Sequence, residues 1–157
     1  NEVFGKLNND VPTLVGESEA KFIYDFIQEE LDEYWEAYKN GDMVEIADAF
    51  GDIQYVLSAG ILLFGLKDKF KPIFDEIQAS NMSKSCENEA DAIETCKRVT
   101  EDKDIKTHYE KVGDKYICYR SDDRKVIKPN HFFHPDLTKF FTPEDLTRKD
   151  DETRIGK

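Results

Sequence analysis

Apolar residues recur at helical spacing through the first half of the chain. Over residues 17–40 they cover one broad arc of a helix, with most polar side chains opposite. Asn40, Gly41 and Asp42 then match a helix end and a restart, because glycine suits the position after a helix and aspartate caps the next one. Residues 43–64 are apolar nearly all round, which predicts a second helix at the centre of a bundle.

Further helices and a small sheet are predicted downstream. Residues 69–79 and 88–100 have helical patterns, joined by a loop. Residues 107–120 alternate around Val112-Gly113-Asp114, which is typical of a β-hairpin, and Val126–Ile127 predicts a third short strand. The pattern therefore predicts a mainly α chain with a small α+β appendage toward the C-terminus.

The change in composition and hydrophobic pattern along the chain predicts three segments. Residues 1–87 would form a helical core, and residues 88–128 an appendage made of one helix and a β-hairpin. Residues 129–157, rich in Phe and Pro at their start, would form an extended C-terminal arm. Its last dozen residues are highly charged, so we expect this end to be disordered.

The net charge, the lengths of the apolar stretches and the cysteines limit which partners and which cellular compartment the sequence predicts. The net charge of −12 disfavours a nucleic acid polymer, because its phosphates would be repelled. No stretch reaches the roughly 18–20 apolar residues of a membrane span, so we expect no membrane partner. Cys86, Cys96 and Cys118 are odd in number and lack C-x-x-C spacing, which predicts reduced thiols and a cytoplasmic location.

Acidic side chains on the first predicted helix are placed unusually. On a wheel of about 100° per residue, Glu30 falls near the middle of the apolar arc, Glu33 inside it and Glu29 at its edge. Burying an unpaired carboxylate costs several kcal/mol, even after relaxation. These three acids therefore need a compensating positive charge.

The second predicted helix repeats the anomaly. Glu45, Asp48 and Asp52 are spaced i, i+3 and i+7, so they share one stripe about 60° wide. No Lys or Arg lies between Lys21 and Lys39, or between Lys39 and residue 67. Divalent cations remain as the local compensating charge, and an all-oxygen ligand set favours Mg²⁺ or Mn²⁺ over Zn²⁺.

The acids allow two other interpretations. In the first, the helices are amphipathic and the acids are solvated, which we accept for Asp25, Asp32 and Glu36 on the polar face. In the second, the acids form a di-iron carboxylate site, but that site needs Glu-x-x-His pairs. The three histidines all lie outside the predicted bundle, so we reject it.

The acids form a pattern that resembles a known signature. Residues 29–33, EELDE, followed twelve residues later by residues 45–48, EIAD, are similar to the E-E-x-x-E … E-x-x-D motif of the all-α nucleoside triphosphate pyrophosphohydrolases. Residues 48–57, DAFGDIQYVL, resemble the D-A-x-x-D-x-x-Y-V segment of the MazG-like and phosphoribosyl-ATP pyrophosphatase-like branch. Residues 74–84, FDEIQASNMSK, resemble its F-x-E-V-H-x-S-N-M-x-K segment.

The chain also departs from that pattern. Gln78 stands where relatives often have His, and residues 88–119 look inserted relative to compact members. Residues 121–130 resemble a tail of the form D-G-K-V-x-K-x-x-N, but Arg124 replaces the usual Gly. These departures leave the choice of substrate open, whereas the signature acids are all present.

The resemblance implies a four- or five-helix bundle that works as a homodimer or a dimer of dimers. It implies hydrolysis of a nucleoside triphosphate or deoxynucleoside triphosphate to the monophosphate and pyrophosphate. The cofactor would be Mg²⁺, with Mn²⁺ as a substitute, held by Glu30, Glu33, Glu45 and Asp48.

The resemblance also implies roles around the metal. Glu29 would orient or deprotonate the attacking water, and Glu33 would be catalytic as well as metal-binding. Substrate contacts would come from Asp52, Tyr55, Asn81, Lys84, Lys125 and Lys128. The alternatives are a non-catalytic nucleotide- or metal-binding oligomerisation module and, among the enzymes, a phosphoribosyl-ATP pyrophosphatase or a dUTPase.

Overall fold

The computed structural model describes residues 8–150, which contain four α-helices and a three-stranded antiparallel sheet of order β1-β2-β3. The mainly α class with a small sheet near the C-terminus is thereby confirmed. The elements are α1 (Glu17–Asn40), α2 (Met43–Leu63), α3 (Phe70–Met82), α4 (Glu89–Lys103), β1 (Thr107–Val112), β2 (Lys115–Arg120) and β3 (Val126–Ile127).

The turn between α1 and α2 follows the predicted capping chemistry. Gly41 has φ +67°, and its N–H donates to the carbonyls of Ala37 and Tyr38. The Asp42 side chain accepts from the N–H groups of Val44 and Glu45, which caps α2. Because the connection is so short, α1 and α2 pack against each other as a helical hairpin.

The described chain divides into two compact units. The first contains residues 8–71 and 138–150, and the second contains residues 72–137. The boundary lies within α3, whereas the sequence pattern had placed it after residue 87. The predicted arm is also divided, because residues 138–150 belong to the first unit.

The C-terminal part of the first unit is tied to the segment before α1. Leu14 forms a parallel bridge with Lys149, and Arg148 donates to the Pro12 carbonyl at 2.7 Å. The N–H of Asp150 donates to the Leu14 carbonyl at 3.0 Å. The expectation of a disordered end is therefore wrong for residues 148–150, because backbone pairing fixes them, while residues 151–157 lie outside the described range.

Gly65 allows a close approach of two backbone segments in the first unit. Its φ is +68°, and a Cβ placed there would lie 2.0 Å from the Val11 carbonyl oxygen. The N–H of Asn9 donates to the Leu62 carbonyl, and the N–H of Thr13 donates to the Phe64 carbonyl. The end of α2 and residues 9–13 can pair only because position 65 lacks a side chain.

The second unit has its own core. α4 packs against the sheet, and the buried cluster consists of Cys86, Ala92, Cys96, Cys118 and Ile127. The three cysteines are free thiols, in agreement with the prediction from their number and spacing.

The α1–α2 hairpin leaves much of its apolar surface uncovered. Of α2, only Ala49, Gly60 and Leu63 are buried, so the predicted central position of this helix is not realised within the chain. We call the following exposed side chains the apolar hairpin surface: Leu31, Trp35, Tyr38, Phe50 and Leu57.

By length and composition alone, α2 could cross a membrane, and among the described residues no other helix could. This property is not apparent from unbroken apolar runs, because polar residues interrupt the apolar sequence of α2. Asp48 and Asp52 lie within α2, and charged groups inside a bilayer are rare and costly.

Candidate functional site

Glu30 is the centre of an acidic cluster in the first unit. The side chain is half-buried, and its Oε2 is fully buried with no hydrogen-bond partner within residues 8–150. Burial is the main cause of a raised Glu30 pKa, and the negative charges of Glu33, Asp52, Glu29 and Asp48 raise it further. The described chain therefore brings five carboxylates into one electrostatic neighbourhood.

The hairpin explains why these acids meet. On α1, Glu29, Glu30 and Glu33 lie within about one turn of each other. On α2, Asp48 and Asp52 are four residues apart, so both face in one direction. Since α1 and α2 pack side by side, their acidic positions converge.

Glu45 stands apart from this set. It lies in the first turn of α2 and is exposed. Its charge is not among the causes of the raised Glu30 pKa. The predicted role of Glu45 as a metal ligand therefore stays a prediction.

The acids are less buried than the wheel predicted. Glu33, Glu45, Asp48 and Asp52 are exposed, and only Glu30 is half-buried. The wheel located the apolar arc correctly, but within this chain much of that arc is uncovered. The prediction of buried acids is correct in part for Glu30 and wrong for the other four in the isolated chain.

The cluster suits a hard cation by its chemistry. All donors are carboxylate oxygens, the ligands that Mg²⁺ and Mn²⁺ prefer, and no hydrogen-bond donor from residues 8–150 reaches the Glu30 Oε2. Within residues 8–150, no three His, Cys, Asp or Glu side chains are placed closely enough to hold an ion as they stand. The ligand type suits a hard cation, but the exposed carboxylates would have to rotate to complete a ligand set.

A pocket adjoins the cluster between α1 and α2. Its volume is about 240 Å³, and the Phe22 and Phe26 rings in its wall meet edge to face at 4.6 Å. Glu30 and Asp52 contribute carboxylates to the lining. The other lining residues are Asn8, Ile23, Tyr55, Val56, Ala59 and Leu63.

Most of this pocket was not predicted from the sequence. Asp52 and Tyr55 were predicted as substrate contacts, and both line the pocket. Phe22, Phe26 and Ala59 were taken as ordinary packing residues, because an apolar helix face looks the same whether it covers a core or a cavity. The only available signal was their position on the faces that carry Glu30 and Asp52.

Asn81 and Lys84 belong to the second unit, at and just after the end of α3. The Lys84 ammonium donates to Asn81 Oδ1 at 2.7 Å, so these two predicted phosphate contacts are paired with each other. The acids belong to the first unit, and a phosphate contact from either residue stays a prediction.

Lys125 and Lys128 also belong to the second unit. The Lys125 N–H donates to Asp123 Oδ1 at 3.0 Å, in the turn before β3. The Lys128 ammonium lies 4.4 Å from the Phe132 ring centroid, a cation–π distance. The Lys125 contact is made by its backbone and the Lys128 contact by its side chain, and the position of either lysine over a phosphate site stays a prediction.

Comparison with known proteins identifies the helical half. A family model described as phosphoribosyl-ATP pyrophosphohydrolase matches residues 1–81, which contain every acid of the cluster and the whole pocket lining. No curated protein matches the chain. The family match covers more than half of the 157 residues, and it confirms the resemblance drawn from the acidic signature. The chain belongs to the phosphoribosyl-ATP pyrophosphohydrolase family of acid anhydride hydrolases, within the all-α NTP pyrophosphohydrolase superfamily.

Proposed function

We propose that this chain is a magnesium-dependent pyrophosphohydrolase that cleaves nucleoside triphosphates or deoxynucleoside triphosphates to the monophosphate and pyrophosphate. The observation that carries the proposal is the Glu30 cluster. A buried carboxylate oxygen that has no hydrogen-bond partner among residues 8–150, and that has four like charges around it, has no structural benefit by itself. It becomes favourable when a divalent cation is shared among those oxygens.

The cations on α1 do not supply that charge. Lys21 pairs with Asp25, and Lys39 pairs with Glu36, both on the polar face of the helix. The neutralising charge must therefore come from outside the hairpin. Glu30, Glu33, Glu45 and Asp48 would hold Mg²⁺, which would polarise the phosphoryl oxygens and lower the pKa of bound water when present.

The remaining residues would act on water and nucleotide. Water adds to phosphorus, the bond between the α- and β-phosphates breaks, and pyrophosphate leaves. Glu29, which is exposed at the edge of the cluster, would accept the proton that this water loses. Asp52 and Tyr55, one and two turns beyond Asp48, would contact the nucleotide from the pocket wall.

The apolar hairpin surface supports a homodimer or a dimer of dimers. Trp35 and Tyr38 stack on each other at 5.3 Å and are 53% and 58% exposed. Large contiguous apolar patches usually mark an interaction site. A second hairpin covering this surface would complete the four-helix bundle that the family resemblance implies, without placing Asp48 and Asp52 in a bilayer.

The test is a product assay with a nucleotide panel. Wild-type protein is incubated with Mg²⁺ or Mn²⁺, and monophosphate and pyrophosphate are quantified by ³¹P NMR. We expect pyrophosphate from at least one nucleotide and a loss of at least about 100-fold in kcat/KM for Glu33→Gln. The matched control is Glu36→Gln, one turn further on the polar face, which should keep wild-type activity.

Absence of turnover on the whole panel would refute the proposal. It would favour the non-catalytic module, which predicts thermal stabilisation by nucleotide plus Mg²⁺ without product. Equal activity of wild type and Glu33→Gln would likewise refute the assigned site.

A second candidate substrate is favoured by the family match. The matching model is that of phosphoribosyl-ATP pyrophosphohydrolase, so phosphoribosyl-ATP belongs on the panel beside dUTP. It carries the same bond between α- and β-phosphates, and the acidic cluster would act on it in the same way. Relative kcat/KM values for phosphoribosyl-ATP, dUTP and the common triphosphates decide between these substrates.

A further inference from the structure

The pocket between α1 and α2 has an apolar part and an acidic part. Phe22, Phe26, Val56 and Ala59 give it apolar walls, and Asp52 places a carboxylate in the same lining. The lining also contains Glu30 of the acidic cluster, so the pocket adjoins the proposed site of hydrolysis. A ligand group held there would be attached to the reacting phosphates rather than remote from them.

The size of the pocket limits the occupant. Its volume of about 240 Å³ lies below the roughly 300–1,000 Å³ of sites that enclose a whole drug-sized ligand. It suits one flat ring system. The aromatic side chains in the wall, Phe22, Phe26 and Tyr55, suit the faces of such a ring, since stacking on an aromatic side chain stabilises any nucleobase.

An apolar occupant fits this pocket poorly. A leucine or phenylalanine from a second copy of the chain would fill the walls but would offer no donor to the buried Oε2 of Glu30 or to the Asp52 carboxylate in the same lining. An ionised carboxylate only accepts hydrogen bonds, so the ligand must offer N–H or O–H groups at that end. A nucleobase combines a flat apolar face with such groups on its edge.

The Asp52 carboxylate, as a hydrogen-bond acceptor, would also discriminate among bases. Cytosine and adenine present an exocyclic amino group, and Asp or Glu accepting from cytosine N4 is a known base contact. Uracil and hypoxanthine carry a carbonyl oxygen at the equivalent position, which a carboxylate repels. We propose, building on the proposed function, that this pocket binds the substrate's nucleobase and that Asp52 selects bases bearing an exocyclic amino group.

Two nucleotide pairs isolate this choice. CTP and UTP differ at position 4 by an amino group and a carbonyl, and ATP and ITP differ in the same way at position 6. We expect kcat/KM to favour CTP over UTP and ATP over ITP by about tenfold or more. In Asp52→Asn both ratios should fall toward one, because an amide offers a donor as well as an acceptor.

A pair of leucine variants on α2 separates the pocket from the helix. Ala59→Leu places three extra carbons in the pocket and should raise KM for all four nucleotides while kcat changes little. Ser58→Leu adds bulk at the neighbouring exposed position outside the pocket lining, and should leave KM unchanged. Equal effects of the two variants on KM would contradict base binding in the pocket.

Binding without turnover keeps this inference separate from the proposed function. Cytidine and uridine are titrated into the full-length protein, and backbone amide shifts are followed by NMR. We expect cytidine to shift the signals of residues 52–59 and to bind more tightly than uridine, even if no nucleotide is hydrolysed. Equal or absent binding of the two nucleosides, or ratios near one in wild-type kinetics, would overturn the inference.

Discussion

The α1–α2 hairpin and the second unit differ in how far they bury their apolar residues. In the second unit, Cys86, Ala92 and Cys118 are completely buried against each other. In the hairpin, Trp35 and Phe50 are each more than half exposed, and a buried Glu30 oxygen finds no hydrogen-bond partner in the part of the chain that the structure describes. The second unit thus buries its core within one chain, whereas the hairpin has the surface of an element that a second hairpin and a cation would complete.

The largest effect should come from charging the apolar hairpin surface. Trp35→Asp places a carboxylate where we expect a second copy to pack, and burying an unpaired charge there is costly. The dissociation constant of the oligomer should rise at least about 30-fold, the factor that corresponds to a loss of 2 kcal/mol at an interface hot spot. Light scattering over a dilution series measures it.

Ile93→Asp on α4 is the matched control for this surface. Ile93 is 51% exposed, almost the same as Trp35, but it belongs to the second unit. We expect its oligomer mass to match wild type. If Ile93→Asp dissociates the protein and Trp35→Asp does not, the contrast between the two regions is reversed.

The core of the second unit should respond independently of protein concentration. Ile127 is 7% exposed and packs in the cysteine cluster, so Ile127→Ala removes buried methyl groups and leaves a cavity. We expect the free energy of unfolding to fall by about 2–4 kcal/mol, as measured by urea denaturation. A cost below about 0.5 kcal/mol would show that this cluster is not the core that its burial indicates.

Gly65 tests the close approach at the end of α2. Gly65→Ala would set a Cβ 2.0 Å from the Val11 carbonyl oxygen at φ +68°, so the backbone must move. We expect a loss of about 1–3 kcal/mol in thermal or urea unfolding. Gly51→Ala is the control within α2, where a Cβ meets nothing within 4 Å. It should stabilise the helix by up to about 1 kcal/mol, and equal losses at both glycines would contradict the argument.

A smaller, pH-dependent effect is expected at Asp145. Its side chain accepts from the Thr142 N–H and pairs with Arg148 and Lys69, and these contacts lower its pKa to about 2. A lowered native pKa stabilises the fold above the ordinary value of 3.8, and this stability is lost as the pH falls toward 2. Asp145→Asn should therefore lower the melting temperature at pH 7 and narrow the difference from wild type at pH 2–3. A constant difference across that range would contradict the linkage.

The sequence predicted local structure well and burial poorly. The turn at Gly41 and Asp42 could be read directly, because glycine in the left-handed region and an aspartate N-cap are chemistry within four residues. The strands at 107–120 and 126–127 followed from alternation and a hairpin signal in the same way. Structure that depends on contacts between residues close together in the chain can be predicted from those residues alone.

The hydrophobic pattern could not predict features that depend on contacts between distant parts of the chain. The helical wheel showed that Glu30 and Glu33 share the apolar arc, but it could not show that this arc is partly uncovered within one chain. The boundary within α3 and the pairing of Leu14 with Lys149 depend on contacts over large sequence separations. The sequence predicted the acidic residues of the candidate site but not the adjoining pocket. An apolar helix face has the same pattern whether it packs in a core or lines a cavity.

Direct titration of a divalent cation tests the central claim that the hairpin acids form an ion site. Mn²⁺ binding is followed by electron paramagnetic resonance in the wild type, Glu30→Gln and the polar-face control Glu36→Gln. We expect saturable binding in the wild type and the control, and affinity reduced at least about tenfold in Glu30→Gln. Equal Mn²⁺ affinity in all three proteins, or no saturable binding in any, would contradict the account.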